Sequence, residues 1–393
     1  MILSHRIQLD PTFKQRSYFS RACGTARMVW NHALAEWNRQ HKAGGKPSGI
    51  KLKKEFNAIK YQSYPWLKSI HRDAHSQPFS ALQTAFTRFF HKKSKRPKFK
   101  SRGKCRDSFY AANDQFRFEG QRVRLPLVGC IRMRESLRFN GKIIGATVSR
   151  TADRWFIAIQ VEITDHKPVS KPESTVGVDL GVKTLATLST GELVENKRPL
   201  QGFMKRLVRC SRRLSRSRKG SRRSEKTKRR LQRIHDNIAN IRKDITHKLT
   251  TQLCKEYTCV VIEDLSVKEM LGNRRLSRSI SDVSFGEIRR QIHYKSKLHS
   301  CDLVVVDRWF PSSKTCSSCG NVKQDLKLSD RTYLCDSCGL VLDRDFNAAL
   351  NLRAAGLAEH ARGPEGSGCS HKAITKPCRV ESRTKPCQHL GTI

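Results

Sequence analysis

The chain has 393 residues, enough for two or three domains that each bury a core. Its 78 Lys and Arg against 34 Asp and Glu leave a formal charge of +44 at pH 7, which repels itself unless a polyanion lies against it, and nucleic acid is the natural candidate. No apolar run of about 20 residues is present, and MILSHRIQLD lacks the apolar stretch of a signal peptide, which argues against a membrane span or export.

In chain order, alternating Ile7 and Leu9 predict a strand. After Pro11, Ala22, Ala26, Val29, Trp30, Ala33, Leu34 and Trp37 fall on a helical face that Gly44, Gly45 and Pro47 end. Leu82, Ala85, Phe86, Phe89 and Phe90 predict a second helix running into the basic linker HKKSKRPKFKSRGK. The helical spacing of these aromatics favours core packing over base stacking. From Phe109 to Ile163 the pattern becomes short alternating runs, with Asn140-Gly141 suggesting a tight hairpin, so a small β-barrel or meander is expected. The Pro-containing linker HKPVSKPEST opens a new domain, whose STVGVDLGVKTLATLST reads as strand, turn, strand.

Next comes a stretch from Lys205 to Lys248 with eighteen Lys or Arg and three acids. Leu231, Ile234, Ile238, Ile241, Ile245, Leu249 and Leu253 describe one apolar helix face, leaving Arg229, Arg230, Arg233, Arg242 and Lys243 to point elsewhere. A solvated face is the plain alternative, but the acids for i,i+4 pairing are nearly absent, so contact with nucleic-acid phosphates is preferred. The apolar run Cys259–Glu263, a helix from Phe285 to Leu298, a strand from Leu303 to Val306 and a last helix at Asn347 to Ala355 follow. The tail 361–393, rich in Gly, Ser, Pro and Lys, reads as disordered.

Cys316, Cys319, Cys335 and Cys338 form two CxxCG knuckles at zinc-ribbon spacing. Two thiolates two residues apart can close on one ion, and the glycine after each pair permits the tight turn. Redox pairs or buried thiols are the alternatives, but matched knuckles favour a structural zinc with no open position for catalysis. The remaining cysteines, including Cys369, Cys378 and Cys387 in the tail, have no such partners, and in a cytoplasmic protein they stay reduced.

Three further segments place an acid beside apolar residues: Asp179 in VGVDLGV, Glu263 ending CVVIE, and Asp343 with Asp345 in DRDFNAA. A buried carboxylate is costly unless paired or metal-bound, so a shared cation explains the set best. Two magnesium ions could activate water and stabilise the leaving oxygen of a phosphodiester. Each acid alone is weak evidence, and Asp343 has a fair claim to be a helix cap.

GVDLGV, VIEDLS, PSSKTCSSCG, CDSCG and DRDFNAALN, in that order, resemble the TnpB family of transposon-encoded nucleases and are similar to compact type V CRISPR effectors. ARMVWNHAL and PKFKSR extend the resemblance toward the N-terminus, more loosely, and it runs to about Arg353. It implies a multidomain α/β fold: a RuvC-like RNase H domain with an inserted zinc ribbon, preceded by a wedge-type β-barrel carrying a helical recognition domain. The boundaries expected are 1–10 and 106–172 for the barrel, 11–105 for the recognition domain, 173–310 and 341–360 for the nuclease domain, and 311–340 for the ribbon. Asp179, Glu263 and Asp345 are then the catalytic, magnesium-binding triad; Asp345 is preferred because the family's acid stands two residues before the motif Asn, here Asn347. Magnesium, with manganese as a substitute, structural zinc and a guide RNA from the transposon end are the implied cofactors. The implied activity is cleavage of double-stranded DNA beside a short adjacent motif, with processing of the guide RNA as an added capability. An RNA-guided repressor that does not cut, or a transposase or its accessory protein, are the competing readings; a monomer is expected.

Overall fold

Period-two alternation at the N-terminus makes β1 (Ile2–Asp10), which buries Ile7 and Leu9. Thr12 then caps α1 (Phe13–Lys42): its hydroxyl accepts from the Gln15 N–H while the Gln15 side chain accepts from the Thr12 N–H, a reciprocal capping box. The computed structural model describes residues 1–163, 172–327 and 329–360; the tail from 361, with Cys369, Cys378 and Cys387, lies outside the described residues, as does 164–171 around the Pro-containing linker.

Two further helices follow, α2 (Gly49–Ser63) and α3 (Arg72–Phe90). Six strands come next: β2 (Ser108–Ala112), β3 (Arg117–Glu119), β4 (Arg122–Leu125), β5 (Gly129–Met133), β6 (Lys142–Thr151) and β7 (Arg154–Glu162). They join β1 in one sheet ordered β2-β6-β7-β1-β5-β4-β3, in which β1 lies antiparallel to both β5 and β7.

Helix α1 serves two cores. Its first half packs Tyr18, Phe19, Ala22 and Cys23 with Ile7, Val148, Ile157 and Ile159 of the sheet. Its second half packs Val29, Trp30, Leu34 and Trp37 with Phe56 of α2 and Phe79, Leu82 and Phe86 of α3. Trp37 stacks on Phe86 with ring centroids 4.2 Å apart, so these aromatics are core; Phe90 is exposed.

Asn140-Gly141 does not form the expected tight hairpin. Gly141 enters β6 where an added Cβ would lie 2.3 Å from the Glu162 carbonyl, so close backbone approach accounts for this glycine. The two-residue hairpin is Ala152-Asp153 between β6 and β7, with Thr151 opposite Arg154 and the positive φ carried by Ala152.

The chain continues through β8 (Thr175–Leu180), β9 (Thr184–Leu188), β10 (Leu193–Glu195), α4 (Pro199–Ser215), α5 (Arg222–Glu256) and β11 (Cys259–Glu263). Then come α6 (Val267–Gly272), α7 (Ser277–Val283), α8 (Phe285–His299), β12 (Asp302–Val306), β13 (Thr332–Leu334), β14 (Val341–Asp343) and α9 (Arg344–His360). A mixed sheet forms in the order β10-β9-β8-β11-β12: β8, β11 and β12 are parallel, while β9 and β10 run antiparallel to their neighbours.

Two compact units result. Met1–His166 groups with Cys210–Asp236, and Lys167–Arg209 groups with the chain from Asn237, so α5 begins in one unit and ends in the other. In the second unit β11 is buried on both faces, as a central parallel strand must be. Val260 and Ile262 pack with Leu249 and Leu253 of α5 and Ile288 and Ile292 of α8, while Cys259 and Val261 pack with Leu352 of α9. Two glycines let α9 approach the sheet: a Cβ on Gly177 would lie 2.0 Å from the Ala349 carbonyl oxygen, and one on Gly356 would lie 2.2 Å from Val261 Cγ2. No helix among the described residues is long and apolar enough to cross a membrane.

Candidate active site and metal centre

Side chains alternate faces along a strand, and that period decides where the acids go. Gly177 faces α9, so Asp179, two residues on, faces it too; Val261 faces α9, and so therefore does Glu263. Ile262 pairs in register with Val178 on the parallel neighbour, which brings Asp179 and Glu263 side by side at the C-terminal end of the sheet. Asp345 stands in the first turn of α9, the helix laid across that face. Open α/β sheets place ligands at this carboxyl end of their strands.

The electrostatics record the convergence. Burial first, and then the negative charges of Asp345 and Glu263, push the Asp179 carboxyl up to about 7, against a smaller opposing pull from Arg344. Burial, with a contribution from Asp264, pushes Glu263 up to about 7 as well. Asp345 keeps 22% of its side chain exposed and lies 3.7 Å from the Arg344 guanidinium. The three carboxylates do not close into a cluster with every ligand atom within 4.8 Å of the others, a closure their mutual repulsion opposes. The donor set is nonetheless what hard divalent cations take, and two ions about 3.5 to 4 Å apart spread their ligands more widely than one does.

Asp343 has a different task. One of its carboxylate oxygens accepts from the backbone N–H groups of Asp345 (2.9 Å) and Phe346 (3.1 Å), so it caps α9 and helps set where Asp345 begins.

The four cysteines Cys316, Cys319, Cys335 and Cys338 do form a tight cluster, with all sulfurs within 4.8 Å of one another. Cys316 and Cys338 Sγ are 3.6 Å apart and Cys319 and Cys335 Sγ 3.5 Å, close to the roughly 3.8 Å that tetrahedral zinc–sulfur bonds of about 2.3 Å require. Both knuckles are built alike. The Gly320 N–H donates to the Cys316 carbonyl and the Gly339 N–H to the Cys335 carbonyl, each at 3.0 Å, with φ of 75° and 71° at the two glycines.

Asn347, known from the sequence only as the motif residue that marks Asp345, and Asn351, which the sequence did not single out, join this cluster to α9. Asn347, fully buried, donates through Nδ2 to the Thr315 carbonyl (2.7 Å) and accepts from the Ser317 N–H (3.0 Å). Asn351, one helical turn on, donates to the carbonyls of Ser312 (2.7 Å) and Thr315 (2.6 Å). Their signal was present in the sequence: two amides at i and i+4 on a helix whose neighbours Ala348, Ala349 and Leu352 are core.

Of the five basic residues picked out on α5, Arg229, Arg230 and Lys243 are exposed. Arg233 pairs with Asp153, and Arg242 pairs at 2.8 Å with the nearly buried Asp282.

Comparison with known proteins agrees with this organisation. Residues 158–274 match a family described as "Probable transposase" (OrfB of IS605), and residues 285–352 match the "Cas12f1-like, TNB domain". Residues 1–46 match a "Helix-turn-helix domain", although here they form β1 and the single long helix α1. A Streptomyces pristinaespiralis protein named "Putative RNA-guided DNA endonuclease" is 39% identical over 362 residues, covering 90% of this chain and 89% of that protein. InsQ of Escherichia coli K12, which carries the same description, is 36% identical over 386 residues, covering 91% and 93%. The fold is similar to that of Cas12f1 in its complex with single-guide RNA and target DNA, with a TM-score of 0.56 at 14% identity over 87% of this chain and 83% of that one. The motif order, the four-cysteine cluster and full-length similarity at these identities agree: the chain belongs to the TnpB family, the OrfB proteins of IS605-type elements.

Proposed function

We propose that the chain is an RNA-guided endonuclease for double-stranded DNA, with its RuvC-like RNase H domain in the unit that carries Asp179, Glu263 and Asp345. The observation that carries this reading is the convergence of those acids at the carboxyl end of β8 and β11 under the first turn of α9. They would hold two magnesium ions, or manganese in their place, which supply an activated water and stabilise the leaving oxygen of the phosphodiester. Asp179 and Glu263, both near 7, must shed their protons to bind cations, so ions and protons compete for the same oxygens. Arg344 offsets part of the charge that this ionisation gathers at Asp179.

Cys316, Cys319, Cys335 and Cys338 would hold one zinc that has no open position, fixing the loop that Asn347 and Asn351 join to α9. The sheet of β1 to β7 is then the wedge domain (1–10 and 106–172), with α1 to α3 (11–105) as its helical recognition insert. Guide RNA from the transposon end supplies sequence by base pairing, and a short motif beside the target is read by the protein. Arg229, Arg230 and Lys243, which are exposed, would meet phosphates, while Arg233 and Arg242 are already ion-paired in the free chain.

The complex purified with its native RNA should cut guide-matched plasmid in magnesium, and Glu263→Ala should reduce that by 10³-fold or more, on the order of 4 kcal/mol of lost transition-state stabilisation. Binding without cutting in the unaltered protein would instead identify an RNA-guided repressor, and joined DNA ends a transposase.

A further inference from the structure

Three residues beyond Val306, the register partner of Glu263, Trp309 stands 84% exposed. Trp30, Trp37 and Trp155 are buried and Trp66 is 47% exposed, so Trp309 is the least covered indole of the chain. Its backbone is tightly held. Asp307 Oδ1 accepts from the Trp309 N–H at 2.8 Å, and the Asp307 carbonyl accepts from the Phe310 N–H at 3.0 Å. Phe310 packs into the core beside Val306, and the Ser312 carbonyl is fixed by Asn351. Its ring faces water, and a partner that covers it would gain free energy by the hydrophobic effect.

The neighbours say what that is. Arg308 donates to Asp264 at 2.8 Å, and Arg289 pairs with the same carboxylate, so two half-exposed guanidiniums flank one acid directly after Glu263. Arg308 also lies 3.9 Å from Glu269, so both guanidiniums sit in partly exposed ion pairs, weak enough for a phosphate to displace. Aromatic face plus cations is the pairing that single-stranded nucleic acid takes, base on the ring and phosphate on the guanidinium. The step from Glu263 across to Val306 is about 5 Å and three residues add at most roughly 10 Å, together the rise of about four to five stacked nucleotides.

We propose that Trp309 is a stacking platform for an unpaired base of the DNA strand being cut, within roughly five nucleotides of the scissile bond, with Arg308 and Arg289 nearby for the backbone. This inference rests on the nuclease reading above and assigns a positioning residue for it. The indole takes no part in bond breaking; it holds the strand in register with the carboxylates.

The test uses the full chain with its native RNA and a guide-matched target carrying a single abasic position, moved stepwise across the cut region, in about 200 mM salt to suppress non-specific binding. With the unaltered protein, one position should lower kcat/KM by about tenfold, within the range known for base–aromatic stacking. Trp309→Ala should lose a similar factor on the intact target and nothing more on that abasic target, while Trp309→Phe should keep most of the rate. A second readout does not need cutting: in calcium, 2-aminopurine placed at that position should be quenched by the unaltered protein and not by Trp309→Ala. An exposed Trp can be replaced without unfolding the chain, which an unchanged Tm verifies. Quenching through Trp309 without magnesium-dependent cutting would remove the nuclease reading and overturn the platform's role in cleavage, leaving Trp309 only as a base-stacking contact. Cutting with equal rate and equal quenching in Trp309→Ala would remove the platform and leave the nuclease reading standing.

Discussion

Asp179 is pulled in two directions by its place in the fold. Burial and two neighbouring carboxylates hold its pKa near 7, so the folded protein resists ionising it, whereas the unfolded chain ionises it near the ordinary 3.8. A carboxyl raised in this way contributes its full share of stability below the unfolded pKa and loses it progressively as pH rises to about 7. In metal-free buffer at pH 8, Asp179→Asn should therefore be more stable than the unaltered protein by roughly 2 to 4 kcal/mol. The difference should shrink toward pH 4, and thermal melts across that window measure it. Magnesium should narrow the gap at pH 8 by stabilising the unaltered protein alone, because only it keeps the ionisable oxygen. The acid itself was legible in the sequence, because a charged residue between Val178 and Leu180 in an apolar strand demands a partner. Which of Asp343 and Asp345 faces it rested on family resemblance, since both spacings suit a helix start. The hydrogen bonds from the Asp345 and Phe346 amides occupy Asp343 as the cap.

At the scale of elements, the contact between α9 and β8 decides whether Asp345 reaches the other acids. Gly177 makes that contact, since any side chain there would meet the Ala349 carbonyl and the Arg353 amide of the helix backbone, neither of which can rotate away. Gly177→Ala should push α9 off the sheet, costing about 1 to 3 kcal/mol as overpacking does and lowering cleavage by more than that loss of stability accounts for. Circular-dichroism melts alongside plasmid cleavage measure the two effects. An isolated glycine in a strand announces a bulge or a close approach in general, but not which one. The same limit applied to Asn140-Gly141, where the turn preference of the dipeptide pointed to a hairpin and the approach of Glu162 accounts for the glycine instead. The tight turn formed at Ala152-Asp153, where no dipeptide signal stood out.

For the molecule as a whole, the charge of +44 sets how it meets its partners. Each Lys or Arg that neutralises a phosphate releases a condensed counterion, so affinity should fall linearly with salt on a double-logarithmic plot. Between about 50 and 200 mM salt, binding to guide RNA should weaken by roughly 10³-fold if six phosphates are contacted. Filter binding across a salt series gives the slope, and a slope near zero would mean that the basic faces are not used. Reversing Arg229 and Arg230 to Glu should flatten it, whereas Arg233→Ala should act mainly through the lost pair with Asp153.

Composition, the apolar periods and the two cysteine knuckles determined by themselves that this is a basic α/β protein with a four-thiolate site and three acids in apolar segments, because charge, periodicity and ligand spacing are local properties of a chain. Only the tertiary structure decided the rest. It carried α5 from one compact unit into the other and joined β1 to strands that follow three helices. It also brought Asp345 and Glu263 near Asp179, turned Arg233 and Arg242 into ion pairs, and left Trp309 uncovered three residues beyond the strand partner of Glu263. The physical reason is that these outcomes depend on which distant surfaces bury one another, and burial is a property of the folded whole rather than of any segment.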